Sequence, residues 1–181
     1  VRNQMRTLII ILFTLLLACN SPEPQSDMKQ MTKTDTIPSQ KVLVQIKKFI
    51  APVTFADFEV DTFKGKKATI DYSSNPIAKR FQTVITDAYQ KNNIMFGGHF
   101  IFVRWGCGTS CKSGAIVDVK DGKVYELPMA TLDYSYAKDS RLLIVNPPDS
   151  TGHYEDCGYC EPELWEWNDK QKKFEQYNND K

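Results

Sequence analysis

The sequence predicts an α+β fold, a mostly antiparallel sheet of meander or sandwich type carrying one major amphipathic helix. Three observations carry that reading. One segment, Ile77 to Tyr89, repeats apolar residues at helical spacing. Many short runs alternate apolar and polar residues. Turn residues such as Asp121-Gly122 and Asn168-Asp169-Lys170 stand between those runs.

The helix has a start signal as well as a period. Asn75 suits the N-cap and Pro76 the first helical position. Ile77, Phe81, Val84, Ile85, Ala88 and Tyr89 then form one apolar face, with Asn92-Asn93 as a stop. Lys41 to Ile50 reads as a strand, although a short helix also fits. Phe55 to Phe63 and Ala68 to Tyr72 read as a hairpin closed by Lys64 to Lys67. His99 to Trp105 is a strand with Phe100 and Phe102 on one face and Ile101, Val103 and Trp105 on the other. Ala115 to Val119 and Lys123 to Leu127 flank Asp121-Gly122 as a hairpin. Arg141 to Val145 is a strand stopped by Pro147-Pro148, and Leu164 to Trp167 pairs with Phe174 to Tyr177.

The beginning of the sequence reads as an address. Arg2 and Arg6 precede the apolar run Thr7 to Leu17, which is too short to span a bilayer and fits a signal-peptide core. It ends in Leu16-Leu17-Ala18-Cys19, which resembles the lipobox of bacterial lipoproteins. That resemblance implies a signal peptide over 1–18 and a Cys19 whose thiol takes lipid, palmitate included. An ordinary secretory cut near Ala18 is the alternative. Residues 19–40, with Pro22, Pro24 and Pro38, read as a lipidated flexible tether. Residues 41–181 read as a single β-rich domain in the cell envelope. Removing Arg2 and Arg6 takes the 23 basic residues to 21 against 22 acidic, a formal charge of −1. Such a balance predicts no nucleic-acid partner. The lysines at 64, 66 and 67, and those at 170, 172 and 173, read as solvated hairpin-loop residues.

Phe96-Gly97-Gly98-His99-Phe100, Trp105-Gly106-Cys107-Gly108-Thr109-Ser110-Cys111 and Gly114 to Asp118 together resemble a family of uncharacterised bacterial exported proteins and lipoproteins. The Trp-Gly-Cys-Gly-x-x-Cys motif marks it. Asp139 to Leu143 and the closing Trp-rich hairpin extend the likeness over roughly Ala68 to Tyr177. The resemblance implies one exported domain and no mechanism. The pair Cys157 and Cys160 departs from the family pattern.

Four cysteines in an exported domain suit two disulfides, most simply Cys107–Cys111 and Cys157–Cys160. Crossed pairing stays open. Cys157-Gly158-Tyr159-Cys160 resembles the active site of disulfide isomerases, but strand-like Leu164 to Trp167 follows it where those enzymes have a helix. Zinc on four thiolates is the third reading, disfavoured by the compartment. No metal or other cofactor is expected.

His99 and His153 are the two histidines. No Gly-x-Ser-x-Gly elbow and no phosphate loop occurs. The bland reading makes His99 a strand-edge residue bonded to a carbonyl, and makes Asp118, Asp139 and Arg141 turn caps and surface charges. On these grounds the sequence favours a binder over an enzyme. It would hold an envelope protein or glycan through Tyr159, Trp165 and Trp167 beside the clamped loops. The alternatives are a hydrolase using His99 with Asp118 or Asp139, or a thiol-disulfide redox protein. The address itself is testable: Cys19→Ser should abolish incorporation of labelled fatty acid, and label retained in that variant would remove the lipid anchor.

Overall fold

A computed structural model describes residues 44–178. The expected signal peptide, Cys19 and the tether lie outside the described residues. The elements in order are β1 (Ile46–Lys48), a 3-10 turn (Phe55–Phe58), α1 (Pro76–Arg80), α2 (Gln82–Lys91), β2 (Phe100–Gly108), β3 (Cys111–Asp118), β4 (Val124–Glu126), β5 (Tyr134–Tyr136), β6 (Leu142–Val145), β7 (His153–Glu155), β8 (Glu163–Asn168) and β9 (Lys173–Gln176). They form three antiparallel sheets, ordered β1-β7, β2-β3-β4 and β5-β6-β8-β9. The α+β class read from the sequence is therefore the observed one. No helix among the described residues is long and apolar enough to cross a membrane.

Strand β2 explains the layering. Its side chains alternate, and both faces are apolar. Phe100 and Phe102, with Ile116 from β3, pack against Leu143, Val145 and Trp167 of the four-stranded sheet. Ile101 and Val103, with Ala115 and Val117, pack against Ala78, Ile85 and Tyr89 of the helices. The β2-β3-β4 sheet is thus a shared middle layer with two cores.

The helix begins as its sequence directs. The Asn75 side chain accepts the Ile77 amide at 2.9 Å, and Pro76 occupies the first position. Phe81 leaves helical geometry (φ −112°, ψ 27°) and separates α1 from α2. Bonds of 3.0 Å from Phe81 to Ile77 and from Ile85 to Phe81 still carry the backbone ladder across. The Phe81 ring stacks on Trp105 with centroids 4.2 Å apart.

The hairpin expected over 55–72 is absent. Thr54 and Asp57 make a capping box for the 3-10 turn instead. The segments on either side bond to different partners. Phe63 donates to the Gly98 carbonyl, Ala68 to Val119 and Asp71 to Gly122. Tertiary partners outcompeted the local turn. Lys67 is not a solvated loop residue either, because its ammonium caps the α2 terminus through the carbonyls of Tyr89 at 3.0 Å and Asn92 at 2.6 Å. Strand β1 forms as expected, but it pairs with β7, which the sequence did not announce. Ile46 there is 61% exposed, so the ribbon adds little core.

Both local disulfides are present, Cys107–Cys111 and Cys157–Cys160. The first closes the exposed tip of the β2–β3 hairpin, where the strand pairing shifts register between Gly106 and Gly108. The second lies in the segment before β8. Asn146, buried and at φ 53°, ties that segment to the 131–132 turn. Its Oδ1 accepts the amides of Thr131 at 2.8 Å and Leu132 at 3.0 Å. Its Nδ2 donates to the carbonyls of Tyr159 at 3.1 Å and Glu161 at 3.4 Å.

Gly122, in the β3–β4 turn, has φ +79°, and a Cβ there would lie 1.9 Å from the Thr69 carbonyl oxygen. Gly122→Ala should cost about 2 kcal/mol or more, through both the left-handed backbone and the blocked approach of residues 68–71. Denaturant unfolding checks this, and a loss below about 0.5 kcal/mol would contradict that packing.

Candidate functional site

The chain reaches β2 through Gly97 and Gly98, both at positive φ. A Cβ on Gly98 would lie 2.3 Å from the Asp61 carbonyl oxygen, so only glycine lets these strands of chain approach. His99 follows immediately. Asp118 ends β3, directly opposite Phe100. The Val119 amide donates to the His99 carbonyl at 2.9 Å and fixes the two backbones together.

The sheet thereby closes a buried pair. His99 Nδ1 lies 2.9 Å from Asp118 Oδ1, with side chains 5% and 2% exposed. The same carboxylate oxygen accepts the Lys120 amide at 2.9 Å. A second carboxylate stands on the other side of the ring. His99 Nε2 is 3.3 Å from Asp169 Oδ1, on the β8–β9 turn, and Asp169 is 42% exposed. The Asp169 oxygen also accepts the Trp167 indole N–H at 3.0 Å and lies 3.8 Å from Lys172 Nζ. Asn168 shapes that turn by accepting the amides of Lys170 and Gln171 at 3.0 Å each.

Burial pushes the Asp118 carboxyl up. The His99 hydrogen bond, the Lys120 amide and the charges of His99 and Lys172 outweigh it, and the net shift is downward. Asp118 is therefore ionised at neutral pH, as a partner for an imidazole must be. Nearby Tyr125 is pushed up to about 12 by burial and by Asp121, Asp118 and Asp169, so its phenol stays neutral. A cleft of about 390 Å³ opens beside these groups, lined among others by Asn75, Tyr125, Glu126, Trp165, Trp167 and Lys172. His99 lies behind that wall, joined to it through Asp169, Trp167 and Lys172, and a histidine oriented by a buried carboxylate is a pattern consistent with general acid–base chemistry.

The comparisons add no relative to this geometry. No family model matches the chain, and no curated protein and no solved structure matches it.

The geometry corrects the preference for a non-enzyme. A buried His99 paired with two aspartates is a pattern consistent with a catalytic site, and a carbonyl-bonded edge histidine is not what is found. Of the other candidates, Asp118 joins His99, while Asp139 and Arg141 do not. Asp139 is exposed, with its carbonyl accepting the Val60 amide at 2.8 Å. Arg141 pairs with Glu166 of β8 at 3.2 Å. Trp167 is fully buried with its indole N–H on Asp169, and Trp165 is part-buried with its indole N–H on Glu163. Tyr159 does stand out, at 83% exposure. The four thiolates that zinc would need are held in the two disulfides. Among the described residues no group of three or more His, Cys, Asp or Glu side chains is arranged for a metal.

Sequence reading missed Asp169, Lys172 and the indole N–H of Trp167. Their segment looked like an ordinary hairpin turn, and only the packing of the four-stranded sheet on β2 brings it to His99. The polar pair predicts a pH dependence. Asp118 is shifted down in the fold, so its contribution is complete above the ordinary carboxylate range and is lost as pH falls through the lowered value. Asp118→Asn should cost about 1–3 kcal/mol at pH 7 and flatten the loss of stability below about pH 4. Unfolding curves at a series of pH values check this, and parallel curves for the variant and wild type would contradict it.

Proposed function

We propose that this chain is an exported hydrolase, lipid-anchored through Cys19, with His99 as its acid–base residue. The observation that carries the reading is the buried 2.9 Å contact between His99 Nδ1 and Asp118, with Nε2 turned toward Asp169. The two disulfides support an oxidising compartment, in keeping with the leader, the lipobox-like Ala18-Cys19 and the resemblance to exported proteins.

The chemistry follows from the tautomer. Asp118 holds the proton on Nδ1, which leaves the lone pair of a neutral ring on Nε2. When the Asp169 carboxylate turns aside, Nε2 takes a proton from a water in the cleft. The water oxygen attacks the acyl carbon of an ester or amide. His99 then returns its proton to the leaving group as the bond to it breaks. Asp118 remains ionised throughout and offsets the transient imidazolium.

A panel of chromogenic esters and aryl amides tests the proposal with His99→Gln and Asp118→Asn beside wild type. Each variant should lose about 100-fold or more in kcat/KM while remaining folded. No turnover by wild type across the panel, or equal rates in the folded variants, would end the hydrolase reading.

A further inference from the structure

Two donors and a ring nitrogen meet on one oxygen. The Trp167 indole N–H, the His99 ring nitrogen Nε2 and the Lys172 ammonium lie 3.0, 3.3 and 3.8 Å from Asp169 Oδ1. Trp167 and His99 are buried, at 0% and 4% exposure, and their positions are fixed by the core. Asp169 is different. It is 42% exposed and it sits on a turn. A carboxylate supplied by the chain sits between two buried rings and an exposed lysine.

We infer that Trp167 and Lys172, beside His99, form a carboxylate-binding site, which Asp169 fills at rest and which a carboxylate-bearing ligand takes over from it. The inference deepens the hydrolase reading and rests on it only for the chemistry that follows binding. The donor set fits a monoanion. It offers one cation and one planar N–H, the two groups that already face the resident carboxylate. Asp118 and Asp121 stand close enough to act on neighbouring Tyr125, and they would oppose a dianion. The rest of the ligand would lie along the cleft, where Tyr125 and Trp165 are part of the wall and offer apolar ring surface. Release of Asp169 would also uncover Nε2, so the ligand's carboxylate both docks it and frees the base.

The full chain and small anions test this. Asp169→Ala should show saturable stabilisation by sodium formate, read as a rise in Tm, against sodium chloride at equal ionic strength. Wild type should respond at least about tenfold more weakly, because its tethered carboxylate competes at high effective concentration. Adding Lys172→Met to Asp169→Ala should weaken formate binding about threefold or more by removing a charge-assisted contact. The indole resonance of Trp167 should move with formate in the single variant. Asp169→Ser serves in the same way if the alanine variant does not fold. Equal responses of variant and wild type, or a response to chloride that matches formate, would overturn the site. Tighter binding of inorganic phosphate than of formate would overturn the carboxylate assignment. Paired esters with and without a distal carboxylate separate the two proposals. Equal turnover of both by wild type would overturn this inference and leave the hydrolase standing. Formate binding in Asp169→Ala with no hydrolysis of any ester would support the site and remove the hydrolase.

Discussion

The antiparallel pairing of β2 with β3 is the constraint from which the rest of the domain follows. It runs from Phe100 opposite Asp118 to Gly108 opposite Cys111. Because both faces of the pair are apolar, the ribbon needs cover on two sides. The helices supply one and the four-stranded sheet the other. The same register closes the hairpin tip at Cys107–Cys111 and, at the opposite end, sets Asp118 against His99. Fold and site are therefore two ends of one ladder.

That end of the ladder buries charge, which is costly unless each group is matched. Asp118 is matched by the His99 ring and the Lys120 amide. The far nitrogen of His99 and the indole of Trp167 are matched by Asp169. Every buried member is thus served, but one of the partners comes from a half-exposed turn. The interior is polar-satisfied only while that turn keeps its position. A site of this kind is stable when empty and still able to exchange one internal contact for an external one.

Much of the fold was legible because its signals are local. Asn75-Pro76 marked the helix start, Asp121-Gly122 the central hairpin, and the Phe/Ile alternation of 100–103 separated the two cores. Cysteine spacing pointed to both disulfides for the same reason. The failures are non-local. Residues 55–72 carry strand-like composition, yet their amides find Gly98, Val119 and Gly122 and not each other. His153 to Glu155 has no apolar alternation and becomes a strand only because β1 lies beside it. At the site, His99 and Asp118 were legible as chemistry-bearing residues, while their contact was not. They stand nineteen positions apart and meet through strand register. Asp169 lies still further along the chain and is brought in by sheet-on-sheet packing, a relation that no short motif encodes.

Asn146 carries a consequence for chemical ageing. Its amide oxygen serves two N–H groups and its amide nitrogen faces two carbonyls, so both halves of the side chain are used. Conversion to aspartate would keep the first half and set an oxygen against the carbonyls of Tyr159 and Glu161. The segment holding the second disulfide would then lose its tie to the 131–132 turn. The usual route to that damage is attack of the following backbone nitrogen on the side-chain amide, with loss of ammonia. The next residue is Pro147, which has no N–H to give. The position most dependent on an intact amide is therefore shielded from deamidation by its own neighbour.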